Sequence, residues 1–138
     1  MGVGSGLPDF RDRSGFWKVY PSLAAAGIDF QAAASSASFV RAPTCAWGFY
    51  GHRLALYRNT IPHPGYAMLQ KRANTKPHGC SVFTSNVDGQ FQAAGFDPPL
   101  VYECQGSIHH MQCGVPCSEA IWRANGLLPV TDDAISVW

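Results

Sequence analysis

The sequence has no long apolar run, no excess of either charge and no even set of cysteines, and each absence narrows what the chain can be. No stretch approaches the roughly 18 consecutive apolar residues of a membrane-crossing helix. A formal net charge of +1 over 138 residues gives no electrostatic reason to expect nucleic acid or an anionic membrane as a partner. The nearest thing to a basic cluster, Lys71, Arg72 and Lys76, reads as a solvated helix end. Five cysteines cannot all pair within one chain, which favours a reducing, cytoplasmic setting over a disulfide framework. The first residues carry neither the basic stretch nor the apolar core of a secretory signal. No internal repeat is visible.

What is present points to an α/β domain. Apolar residues make up 46% and charged residues 14%, a balance suited to a mostly parallel sheet whose strands are covered on both faces. Residues 1–22, rich in Gly, Pro, Asp and Ser with Phe10, Phe16, Trp17 and Tyr20 irregularly spaced, read as a long loop. Ser22 to Ser38 reads as short, weakly defined helices. Trp47, Tyr50, Leu54 and Tyr57 recur at steps of three and four, the stripe of an amphipathic helix. Pro64 suits the first turn of the next helix, which runs to about Arg72.

A strand from Cys80 to Thr84, a helix with Val87, Phe91 and Ala94 on one side and Gly95 at its end, and a strand from about Leu100 to Glu103 make a βαβ pattern. Ligands of such sheets bind off the carboxyl ends of the strands. Asn86 and Asp88 follow one strand end and Gln105 the next, so ordinary α/β physics brings these residues to one crevice.

Three blocks then carry a family resemblance: Ser5-Gly6-Leu7-Pro8-Asp9-Phe10-Arg11, Phe83-Thr84-Ser85-Asn86-Val87-Asp88 with a trailing Ala94-Gly95, and Val101 to Cys117 with Cys104-Gln105-Gly106-Ser107 at its centre. In this order they resemble the sirtuins, NAD-dependent protein-lysine deacylases. The departures are specific. Ser85 stands where the family has glutamine, Gln90-Phe91 replace Leu-His, and Gln105 occupies the place of the catalytic histidine. The family's Gly-Ala-Gly turn, which cradles the NAD diphosphate, falls before Met1. The resemblance therefore implies an incomplete sirtuin-type domain over 1–138. Its Rossmann-like, doubly wound part, 1–107, lacks the first strand, and 108–138 begins a small zinc-binding lobe.

The resemblance also implies roles. Arg11 contacts NAD, as the planar fork of an arginine suits phosphate, and Phe10 shields the reactive ribose carbon by the nicotinamide end. On residues alone, Pro8 and Asp9 make a turn followed by a surface Arg11. Ser85, Asn86 and Asp88 lie in the cofactor-binding segment, where Asn86 and Asp88 orient ribose hydroxyls and the nicotinamide carboxamide; equally, Asn86 or Asp88 is a helix N-cap, and both roles can hold at once. At Gln105 an amide cannot hold a proton at neutral pH, and general-base help is worth about 10² to 10⁴ in rate, so the catalytic position is impaired. Reaching it from His109 or His110 requires a sharp fold-back of the chain.

Cys113 and Cys117 fall where the family's first zinc cysteines stand. A C-x3-C pair is half of a four-ligand structural site, and zinc belongs to a longer parent. Cys45, Cys80 and Cys104 read as small buried apolar residues. The leading reading is NAD-dependent transfer of an acyl group from a protein lysine to ADP-ribose, with an acylated-lysine protein as partner. The rivals are a non-catalytic NAD-, ADP-ribose- or protein-binding module and a truncated product without activity.

Overall fold

The computed structural model describes residues 2–10, 12–115 and 117–125. Arg11 and 126–138, the end of the expected zinc-binding lobe, lie outside the described residues.

Helices come first. The loop expected over 1–22 is corrected by α1 (Arg13–Val19) and α2 (Pro21–Ala25). The Asp12 carboxylate caps α1, accepting the Gly15 N–H at 2.9 Å and the Ser14 hydroxyl, and Pro21 opens α2 at the first turn. Burial of Phe16, Tyr20 and Leu23 at steps of four and three outweighs the poor helix propensity of Ser14 and Gly15. The weak helices expected next are α2, α3 (Phe30–Ala33) and α4 (Ser36–Arg41).

The long helix read from the aromatic stripe is α5 (Pro43–Asn59). Its buried face is Ala46, Phe49, Arg53, Leu54 and Tyr57, whereas Trp47 is 40% exposed and packs edge-on against Phe39 of α4. Leu54 and Tyr57 of the expected stripe are buried, whereas in its first half Ala46 and Phe49 take the inward places expected of Trp47 and Tyr50. α6 (Pro64–Ala73) begins at Pro64, with His63 as its cap through Nδ1 to the Gly65 N–H at 2.9 Å.

The βαβ unit follows as β1 (Val82–Thr84), α7 (Gln90–Ala93) and β2 (Val101–Glu103). β1 and β2 run parallel with Phe83 opposite Tyr102. α7 is shorter than its apolar pattern implies, leaving Val87 outside it. The expected cover on both faces of the strands is also corrected. Phe83 and Tyr102 stand on the same face, 76% and 64% exposed, stacked on each other at 5.3 Å. β3 (His110–Met111) and β4 (Trp122–Arg123) form a short antiparallel pair. Arg58 ties it to α5 by donating to the Ala124 carbonyl at 2.6 Å.

The core is helical and aromatic, built on Leu7, Phe10, Phe16, Tyr20, Leu23, Ala33, Phe49 and Tyr57. Of the cysteines expected inside, Cys45 is buried, Cys80 half-buried and Cys104 exposed, because Cys104 lies past the last paired residue of β2. Among the described residues no helix is long and apolar enough to cross a membrane.

Candidate functional site

One cavity of about 1140 Å³ gathers the sequence-predicted residues, lined by Asp9 and Phe10, by Ser85, Asn86 and Asp88, and by Gln105. Its two walls are made differently. On one side, backbone bonds hold the loops that leave the strands. Cys104 N–H donates to the Thr84 carbonyl at 3.0 Å, Gly106 N–H closes a turn around Gln105 onto the Glu103 carbonyl, and Ile108 N–H reaches the Val87 carbonyl. The Thr84 hydroxyl accepts the Asn86 N–H at 3.0 Å, setting Asn86 at the strand end.

Asp88 is buried, and its Oδ1 accepts the Gln90 N–H at 3.1 Å. The cap residue of α7 is Gly89, so Asp88 serves the first turn without being its cap. His109 Nε2 lies 3.0 Å from the Asp88 carbonyl, its ring packed against Gly89, where an added Cβ would fall 2.6 Å from Nε2 and φ is +68°. His109 is thereby held behind the loop. It neither stands in at the Gln105 position nor joins the cysteines.

The other wall is aromatic. Phe10 is only 8% exposed and packs against Phe30, Tyr20 and Tyr57, a core residue that also lines the cavity. Sequence reasoning missed Arg53. Arg53 is 5% exposed, and its guanidinium lies within 5.8 Å of five ring centroids, with Phe30 nearest at 5.0 Å. Nε and Nη2 donate to the Tyr57 hydroxyl at 3.2 and 2.7 Å. Among the described residues no carboxylate pairs with Arg53; the ion pair at the cavity rim is Arg13 with Asp29, at 3.8 Å. Burial raises the Tyr57 hydroxyl's pKa while the Arg53 charge opposes that rise. A buried cation on a cavity wall, partnered by rings and one phenol, suits an anionic group entering from the cavity. The signal was available, since Arg53 sits between Tyr50 and Tyr57 at helical steps of three and four.

Cys113 and Cys117 are brought together in the turn after β3, with sulfurs 2.8 Å apart, and the bond from Cys117 pushes the Cys113 thiol pKa up. No group of three or more His, Cys, Asp or Glu is placed to hold a metal among the described residues.

A family model described as "Sir2 family" matches residues 1–127. The chain belongs to the Sir2 family. It is 30% identical over 129 residues to "NAD-dependent protein deacylase sirtuin-5, mitochondrial" of Danio rerio, covering 91% of this chain and 38% of that protein. It is 32% identical over 114 residues to "NAD-dependent protein deacylase" of Thermococcus kodakarensis, covering 83% and 40%. A protein of the same name from Thermus thermophilus is 30% identical over 112 residues, covering 79% and 40%. This Sir2-family chain thus spans about two fifths of the length of these relatives.

Proposed function

We propose that the chain forms the ligand-facing part of an NAD-dependent protein-lysine deacylase, and that Gln105 leaves it able to bind but poor at turnover. The observation that carries this reading is a cavity lined by residues from all three motif blocks. Its volume of about 1140 Å³ lies just above the roughly 300–1,000 Å³ of small-molecule sites, and it combines an apolar ring, short polar side chains and a buried cation, which suits a dinucleotide. Bound between these walls, NAD would supply an electrophilic ribose carbon with nicotinamide as its leaving group.

The chain's own residues then divide the work. Asn86 and Asp88 orient ribose hydroxyls and the carboxamide, with Ser85 beside them. Phe10 excludes water from one side. Arg53 holds an anionic group, either of the cofactor or at the end of the acyl chain. Asp9 and Arg11 belong to the cofactor side by family resemblance. Gln105 donates and accepts hydrogen bonds at the base position but cannot take up the ribose hydroxyl proton.

The finer architecture is part of the same proposal: β1 and β2 belong to a doubly wound Rossmann-like sheet spanning 1–107, and a zinc-binding lobe starts at 108. Cys113 and Cys117 supply two of the four ligands such a zinc needs. The described residues alone do not complete the site, so no step is assigned to it. The partner is an acylated-lysine protein in a cytoplasmic setting.

The test is calorimetric titration of the chain with NAD, paired with nicotinamide release in the presence of acyl-lysine peptides. Binding with negligible release supports the reading, and robust release dependent on the peptide with Gln105 intact overturns the role given to that position. Gln105 also favours a second reading, a non-catalytic module for NAD or ADP-ribose. Equal affinity for both ligands, with Gln105→His still silent, selects it.

A further inference from the structure

His109 stands where three parts of the molecule meet. Its ring Nε2 lies 3.0 Å from the Asp88 carbonyl on the strand-end wall. Its own carbonyl accepts the Ala124 N–H at 2.9 Å beside β4, and the Ala124 carbonyl in turn accepts Arg58 of α5 at 2.6 Å. Three hydrogen bonds in series thus run from the cavity wall to the long helix. The preceding residue adds a parallel tie, the Ile108 N–H donating to the Val87 carbonyl at 3.0 Å. Residues 108 and 109 therefore hold carbonyls 87 and 88, a two-bond bracket on the segment that brings Ser85, Asn86 and Asp88 to the cavity.

The bracket fixes the state of the ring. A carbonyl oxygen only accepts, so Nε2 carries the proton and the lone pair of the neutral ring is on Nδ1. Glycine at 89 is what admits the ring: a Cβ there would lie 2.6 Å from Nε2 and 2.7 Å from Cδ2, and the φ of +68° already favours glycine. His109 is half-buried and does not line the cavity, so it reaches a ligand there only through Asp88. Asp88 is held separately at its side chain, where Oδ1 accepts the Gln90 N–H at 3.1 Å. Its carboxylate and its carbonyl are thus fixed by two different neighbours.

We infer that His109 is a positioning residue for the cofactor side of the cavity, its Nε2–H holding the Asp88 backbone in a seat that Gly89 leaves open. The effect on NAD rests on the cofactor reading above; the bond and the tautomer do not.

Nitrogen-15 NMR of the unmodified chain, above the pH at which imidazoles titrate, reads the ring directly. The neutral His109 should be the Nε2–H form, and the Nδ1–H form would overturn the proposal, because Nε2 could then donate nothing to Asp88. This reading decides even where a variant does not fold. His109→Phe keeps a ring without the donor, and His109→Gln puts an amide N–H at a similar reach. The Gly89 amide signal, which shares its peptide group with the Asp88 carbonyl, should shift in His109→Phe and return towards its place in His109→Gln. NAD affinity should fall about two- to tenfold in His109→Phe, the worth of one hydrogen bond, and recover in His109→Gln. Unchanged affinity in His109→Phe, or equal losses in both variants, refutes the positioning role. In thermal melts Gly89→Ala should cost more in the original chain than in a His109→Ala background, where only the strain of the positive φ remains; additive losses would remove the ring from its seat. Absence of NAD binding in the unmodified chain refutes the cofactor reading instead, and leaves the tautomer, the Gly89 signal and the melts to decide the bracket.

Discussion

The two walls of the cavity are built on different physics. The helical wall, from Phe10 through α1 to α5, is held by rings that interlock: Phe16 is fully buried, with ring centroids of Tyr20, Phe30 and Phe49 at 5.2, 5.7 and 6.1 Å. The strand-end wall, Ser85 to Asp88 and Gln105, hangs on two three-residue strands and a few backbone bonds, with Phe83 and Tyr102 open on the outer face. Packing fixes one wall and hydrogen-bond direction fixes the other. Substitutions on the first should therefore act on stability, and substitutions on the second on chemistry.

The largest expected effect tests the packed wall. Phe16→Ala should cost about 3–5 kcal/mol of unfolding free energy, read by urea denaturation. A loss near that of an exposed residue would show that the aromatic cluster does not organise this wall. Next is the strand-end wall: Gln105→His should raise nicotinamide release with an acyl-lysine peptide by about 10² or more while the denaturation midpoint stays unchanged, since Gln105 is exposed. No gain in release, or a gain that tracks stability, would erase the division between the walls.

Arg53 joins the two, buried in the rings yet facing the cavity. Arg53→Met should leave stability equal or higher, because a well-packed apolar residue removes the cost of burying a charge. It should weaken the anionic ligand about tenfold, the value of one charge-assisted hydrogen bond. Titrating the variant with NAD, and with peptides bearing acetyl or carboxylate-ended acyl groups, shows which anion Arg53 meets. Equal affinity for all of them would remove Arg53 from the site.

The smallest effect is at the start of α1. The bonds from the Ser14 hydroxyl, and then from the Gly15 N–H, lower the Asp12 carboxyl pKa in the folded chain. A depressed carboxyl contributes stability that is present above its unfolded pKa and lost as pH falls through the folded one. Melts of the chain should therefore soften in acid, and Asp12→Ala should be less stable at neutral pH but less sensitive to acid. Parallel acid profiles for the two proteins would show that the cap carries no charge-linked stability.

Much of the strand-end side was legible because its signals are local. Pro64 marks the start of α6, Gly95 the end of the α7 turn, and the runs read as strands at 80–84 and 100–103 contain β1 and β2. A strand–helix–strand order then places Asn86, Asp88 and Gln105 at one crevice. The helical side was less legible. Composition at 1–22 hid α1, although Asp12 carried a cap signal, and the large aromatics drew the α5 stripe through Trp47 when Phe49 and Arg53 face inward. A ring chooses core or surface by what packs opposite it, and spacing within one helix does not contain that information.

Sequence alone determined the Sir2-type motif order, and it set Gln105 and the pair Cys113 and Cys117 where the family resemblance expects a histidine and two zinc cysteines, because these depend on residue identity and order. Tertiary structure decided that Phe10 is a core ring, that Arg53 is a buried cation on the cavity wall and that His109 is held behind Gly89 on the Asp88 carbonyl. Each of these is set by groups distant in the chain that meet only when the aromatic core closes, and burial there decides which charges and polar atoms need a partner.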